Sequence, residues 1–282
     1  MKINTSIHSK FHILKALIGN TVARLVTSPA DQLIVLNYHG TQKKYITNFE
    51  AQIRFLQKHY RIISPAEFRE IVYKGDPVKG KKLLLTFDDG IKNNSLAIEV
   101  LERLDLFAYF FVVPGFIDSE NQKEYFIKNI RPVINSEIDN EAEDFSALSW
   151  NELSEISKRH TIGCHTYSHT MIKDTLNEER LEKELLVSKK EIEQKLNCSI
   201  DSFCSINNTL QSVGRRERRL IESNYKYHFT TFGGNNSSTE RFLIKRINVE
   251  SHWLPGAFKF ALSPFEMNRW NDSIVQFLNN TQ

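Results

Sequence analysis

The chain is 282 residues long and 40% apolar, which suits one large α/β domain with an ample core. Its formal net charge of +3 at pH 7 is too small to imply a nucleic-acid partner, and none is expected. Cys164, Cys198 and Cys204 are odd in number and form no CxxC pair, which indicates neither a disulfide framework nor a zinc ribbon and makes a reducing, cytoplasmic compartment the simpler expectation.

Residues 1–30 read as a helical extension in which Phe11, Leu14, Leu17, Ile18, Val22 and Leu25 share a face. Asn20 and Arg24 interrupt what would be the apolar core of a secretory signal, and no stretch approaches the roughly 20 apolar residues that span a bilayer. Packing on the domain is the expected role of this face, with shallow docking on a membrane surface as the sharper alternative. From residue 31 to residue 282 strands and helices alternate. Gln32 to Tyr38, Arg61 to Ile63, Leu83 to Phe87, Phe107 to Val113, Thr161 to Cys164, Asp201 to Ile206, Lys226 to Thr231 and Phe242 to Val249 read as strands. Several lack polar alternation, the pattern of strands buried on both faces of a parallel sheet. Helices are predicted over Asn48 to His59, from Pro65 behind a Ser64 cap, and over Ser95 to Leu104, Trp150 to Lys158 and Val213 to Ser223. Thr175-Leu176-Asn177-Glu178 reads as a capping box ahead of an amphipathic helix lined by Leu181, Leu185, Ile192 and Leu196. Residues from about 117 to 149 lose this regularity and read as an insertion, either a lid or a plain surface excursion.

Chemistry concentrates at two places. Asp88 and Asp89 stand side by side at the end of a buried strand, where desolvation and mutual repulsion make the pair costly unless a cation joins them. Successive strand residues point to opposite faces, so both carboxylates reach one site only if the chain is already turning, which Gly90 permits. His165 and His169 are four apart; on a helical turn their Cβ atoms would lie about 5–6 Å apart on one face, and one ion takes a nitrogen from each. Aspartates as helix caps, or histidines as ordinary polar core residues, would each explain one pair and never all four together.

The strings Thr86-Phe87-Asp88-Asp89-Gly90 and Ile162-Gly163-Cys164-His165-Thr166-Tyr167-Ser168-His169, with Trp150-Asn151-Glu152-Leu153 ahead of the second, resemble the leading motifs of the polysaccharide deacetylases, the NodB-homology group of carbohydrate esterases. The resemblance runs from about Leu33 to Val249. It implies a distorted (β/α)7-type barrel of parallel strands with the site at their C-terminal ends. It also implies that Asp89, His165 and His169 bind one divalent metal, zinc ahead of cobalt, nickel or iron, and that Asp88 is the general base. Tyr38-His39, ending an early strand, is similar to the element that supplies the acid histidine in the subgroup acting on biofilm poly-N-acetylglucosamine, which makes His39 the candidate acid. Trp150 is a weaker candidate for substrate contact, set against a packing role.

Departures from the family pattern matter as much. Its arginine- and proline-rich loop has no counterpart in Ser202-Phe203-Cys204-Ser205-Ile206-Asn207-Asn208, which leaves the orientation of Asp88 open. Arg246, in Lys245-Arg246-Ile247-Asn248-Val249, is a candidate replacement, with a structural arginine as the equal alternative. His252 lies past the last strand and fits the acid's role poorly. Arg215-Arg216-Glu217-Arg218-Arg219 reads as a solvated helix face that could also meet phosphate on a nucleotide sugar, a lipid-linked glycan or a membrane headgroup. The expected activity is metal-dependent removal of an N-acetyl group from an amino sugar, with a precursor made inside a bacterial cell favoured over a finished wall polymer. Rivals are an O-deacetylase or deformylase of a modified sugar, a catalytically inactive glycan-binding relative, and a phosphohydrolase with Asp88 as nucleophile, which the histidine pair disfavours.

Overall fold

The computed structural model describes residues 30–133, 142–173, 175–206, 214–237, 240–271 and 274–275; the predicted N-terminal helix lies outside them. Among the described residues eight strands form one sheet: β1 (Gln32–Tyr38), β2 (Arg61–Ile62), β3 (Lys81–Phe87), β4 (Ala108–Val112), β5 (Thr161–Cys164), β6 (Ser202–Cys204), β7 (Tyr227–Phe229) and β8 (Ile247–Asn248). Their order is β7-β6-β5-β4-β3-β1-β8, with β2 beside β3, and every pairing is parallel. Ile244 bridges Phe229 in parallel and the Arg246 N–H donates to the Phe232 carbonyl, so the segment leading into β8 touches the β7 side while β8 itself pairs with β1. The sheet is parallel, as the strand pattern predicts, and curls into the distorted barrel that the resemblance implies.

Side-chain alternation divides the core in two. Leu33 and Val35 of β1, Leu84 of β3, Tyr109 and Phe111 of β4, Cys204 of β6 and Phe229 of β7 form one cluster, to which Ile244 also belongs. Drawn from strands all round the sheet, it fills the barrel. The intervening residues, among them Ile34, Leu36, Leu85 and Phe110, pack outward with Phe49, Ile53 and Leu56 of helix α1 (Ile46–His59) and Ala97 and Leu101 of a later helix, α3 (Asn94–Arg103). Between them, α2 (Pro65–Lys74) starts behind Ser64, whose side chain accepts the Glu67 N–H, and sends Phe68 and Val72 into the inner cluster. Burial on both faces is why these strands show no polar alternation.

Helix α4 (Trp150–Ser157) opens on a Ser149–Glu152 capping box. Helix α5 (178–196) joins an α segment, Glu178–Glu182, through a π-helical segment, Lys183–Val187, to a second α segment, Ser188–Leu196, and α6 (Arg215–Asn224) carries the arginine run. Two expectations are corrected. Asn177, not Thr175, caps α5: the helix begins at Glu178, and the Asn177 carboxamide accepts the Arg180 N–H at 2.8 Å. The predicted strand from Phe242 to Val249 shrinks to Ile247–Asn248, because the Asn236 side chain captures both the N–H and the carbonyl of Lys245, each at 2.8 Å, and a ladder needs those groups. Among the described residues no helix is long and apolar enough to cross a membrane.

Candidate metal and catalytic site

Strand β3 delivers its carboxylates by turning. Asp88 still bonds like a strand residue, its N–H donating to the Tyr38 carbonyl at 2.9 Å, and it shares the inward face with Leu84 and Thr86. Asp89 then takes φ 72° and Gly90 φ 67°. The positive φ favours glycine at Gly90, and a Cβ there would also crowd Val112 Cγ1 at 3.1 Å. A positive φ at Asp89 is a sparsely populated state that surrounding structure must hold.

Asp89 is fully buried, and neither of its carboxylate oxygens makes a hydrogen bond. Its Oδ1 faces His169 Nε2 at 3.1 Å and His165 Nε2 at 3.4 Å. Burial alone would raise its pKa, but positive charge on the imidazoles when they are protonated, His169 foremost, holds it well below the usual carboxylate value. His165 Nδ1 lies 2.9 Å from the Cys204 carbonyl and His169 Nδ1 lies 2.8 Å from the Asn129 carbonyl. A carbonyl only accepts, so each Nδ1 carries a proton, which leaves Nε2 of the neutral ring as the nitrogen that can offer a lone pair beside Asp89. A buried carboxylate without donors between two such lone pairs fits a divalent cation. The histidines do not share a helical turn as expected: the His165 N–H still pairs with Val112 along the sheet, and the chain then reverses through Thr166 at φ 63° and His169 at φ 57°.

Asp88, His165 and Cys204 form a second close group, with Cys204 Sγ 3.9 Å from both Asp88 oxygens. It suits a cation poorly. Asp88 already has its cation in Arg246. The guanidinium, also buried, forms a two-pronged pair with Nη1–Oδ1 at 2.7 Å and Nη2–Oδ2 at 2.9 Å. Its Nε donates to the Thr230 carbonyl at 3.0 Å and Nη1 to Asn37 Oδ1 at 2.9 Å, while its Cζ lies 5.7 Å from the Phe111 ring centre. Burial raises the Asp88 pKa, yet Arg246 and then His165 bring it below the ordinary value, so Asp88 is an oriented carboxylate at neutral pH.

His39 follows β1 and is buried, with Nδ1 3.4 Å from Glu250 Oε1, an ion-pair distance without hydrogen-bond alignment. Gln52 steadies Glu250 by donating to its carbonyl at 3.1 Å. Burial lowers the His39 pKa, but Glu250, then Asp89 and Asp88, push it up to about 9. His252 packs on the Tyr45 ring instead. Trp150 donates to Asp118 Oδ1 at 2.7 Å and lines a separate cavity of about 490 Å³ with Lys92, Ile117 and Gln122; none of the residues above lines it. Glu250 and the carbonyls of Cys204 and Asn129 escaped the sequence reading. A backbone acceptor has no residue signature, and an acid two residues beyond a two-residue strand gives none either.

Residues 75–207 match the family model described as polysaccharide deacetylase. None of the curated proteins matches the chain in sequence. Among solved structures, a polysaccharide deacetylase from Bacillus cereus is 23% identical with a TM-score of 0.58, covering 82% of this chain and 68% of that one. IcaB from Ammonifex degensii is 20% identical at a TM-score of 0.62, covering 82% and 96%. The Streptococcus pyogenes deacetylase PplD, solved in complex with acetate, is 16% identical at 0.63, covering 84% and 100%. These structures share the fold described above.

Proposed function

We propose that this chain, a member of the polysaccharide deacetylase family through residues 75–207, is a metal-dependent hydrolase that removes the N-acetyl group from an amino sugar in a glycan or glycan precursor. The observation that carries this reading is the buried Asp89, its oxygens without a hydrogen bond, facing the Nε2 atoms of two imidazoles beside an Asp88 fixed by Arg246. A divalent ion held by Asp89, His165 and His169, zinc by preference for a nitrogen-and-carboxylate set, would polarise the acetyl carbonyl and lower the pKa of water from 15.7 to about 7. Asp88 takes the proton of the attacking water, since each of its oxygens keeps a lone pair beyond the one given to Arg246. His39, protonated through its pairing with Glu250, gives its proton to the sugar nitrogen as the C–N bond breaks, leaving acetate and a free amine. The test is to incubate metal-loaded protein with N-acetylglucosamine oligomers and count products. Acetate with an equal amount of new amine supports the reading; formate, or acetate released only from O-acetylated sugar, replaces it with the rival hydrolases. Sugar binding without any release makes the chain an inactive relative.

His39 also gives an expectation for stability. Its pKa is about 9 in the folded protein against 6.5 for a free imidazole, so its contribution is complete below pH 6.5 and is lost as pH rises through 9. Urea unfolding of the metal-free protein should show wild type losing up to roughly 3 kcal/mol more than His39→Gln across that window, at about 1.36 kcal/mol per pKa unit. Parallel pH profiles for the two proteins would mean that Glu250 does not hold the imidazole charged.

A further inference from the structure

The loop carrying both histidines is gripped by a carboxylate that the chemistry above does not use. Glu184 is wholly buried and lies in the π-helical segment of α5, a one-turn irregularity of the kind that recurs at functional sites. Its Oε2 accepts the N–H groups of Tyr167 and Ser168, both at 2.9 Å, and its Oε1 accepts the Ser168 hydroxyl at 2.7 Å. Arg180, one turn earlier, meets Glu184 Oε1 at 2.9 Å and donates to Ser168 Oγ at 2.7 Å and Thr170 Oγ1 at 3.0 Å. Hydrogen bonds to an ionised acceptor are the strong ones, and two consecutive N–H groups converging on an anion lock the peptide planes between them.

Those two residues lie inside the reversal from His165 to His169. Thr166 and His169 both hold positive φ without being glycine, a state that persists only where the surroundings over-determine it. The Nδ1 contacts to Cys204 and Asn129 fix how each ring rotates, but they do not fix the backbone that sets how far apart the rings stand. Glu184 does that.

We infer that Glu184, assisted by Arg180, is a positioning residue that sets the spacing of the His165 and His169 Nε2 atoms and thereby the metal affinity of the site. The inference rests on the metal-site reading of Asp89, His165 and His169. The test compares wild type, Glu184→Gln, Glu184→Ala and the milder Ser168→Ala by titration with Co²⁺ alone, following its visible absorption, and by amide hydrogen exchange of the metal-free proteins. Glu184→Gln is expected to weaken Co²⁺ binding about 10–100-fold and alter its band intensities, with Glu184→Ala weaker still and Ser168→Ala affected least. In metal-free Glu184→Gln the Tyr167 and Ser168 amides should exchange about tenfold faster or more, while those of β3 and β5 keep their protection. A residue that merely stabilised the fold would lower the melting temperature and leave the affinity and spectrum of the folded protein alone, and that result overturns the inference. Should neither Glu184 variant fold, an unchanged Co²⁺ affinity in Ser168→Ala overturns it equally. Wild type that binds no Co²⁺ at all removes the metal reading and this inference with it, whereas binding equal in wild type and variants removes this inference only.

Discussion

Asp88→Asn is expected to lower kcat/KM for acetate release by about 10²–10⁴-fold while leaving metal affinity within a few-fold of wild type. Two losses combine. The carboxamide has no basic oxygen to take the water proton, and one of its two heteroatoms becomes an NH₂ facing a guanidinium NH₂ where Nη2–Oδ2 stood at 2.9 Å. The metal set is spared because Asp89, not Asp88, carries the carboxylate that the imidazoles face. Acetate release measured at matched metal content checks this. Activity within tenfold of wild type would remove Asp88 from the role of base.

Arg246→Met is expected to destabilise the protein by about 3–5 kcal/mol, because it strands the buried Asp88 charge without its partner. The methionine fills much of the space over Phe111 but replaces none of the bonds to Asp88, Asn37 and the Thr230 carbonyl. Urea denaturation of Arg246→Met, Asp88→Asn and the double variant forms a cycle that isolates the pair. The double variant should be more stable than the sum of the single losses predicts, since removing the second charge relieves the first. A cost below about 1 kcal/mol for Arg246→Met would mean that solvent reaches Asp88 and that its orientation has another source.

The parallel strands were legible because burial on both faces leaves apolar runs, and β1, β3 and β5 stand where those runs are. The aspartate pair and the histidine pair were legible because their residue types are costly to bury without a reason. What stayed hidden arises from tertiary geometry. Arg246 was legible only as an equal alternative to a structural arginine, because it reaches Asp88 across 158 positions through closure of the barrel by β8, a strand of two residues with no pattern of its own. Its approach depends on the Asn236 hook around Lys245, which interrupts the strand that periodicity suggested. The helical turn expected at His165 to His169 failed because spacing alone does not reveal positive φ at threonine and histidine. Glu184 is one acid among many on a charged helix, and nothing in the residue pattern marks it as the one buried in the π-helical segment.

Calorimetric titration of the metal-free protein with Zn²⁺ tests the central claim most directly. One ion per chain is expected in wild type and in Asp88→Asn, with binding weakened by about 10²-fold or more in Asp89→Ala and in His169→Ala, since a zinc site needs its ligands together. Wild type without a tight site, or an Asp89→Ala variant that binds Zn²⁺ as wild type does, would contradict the account.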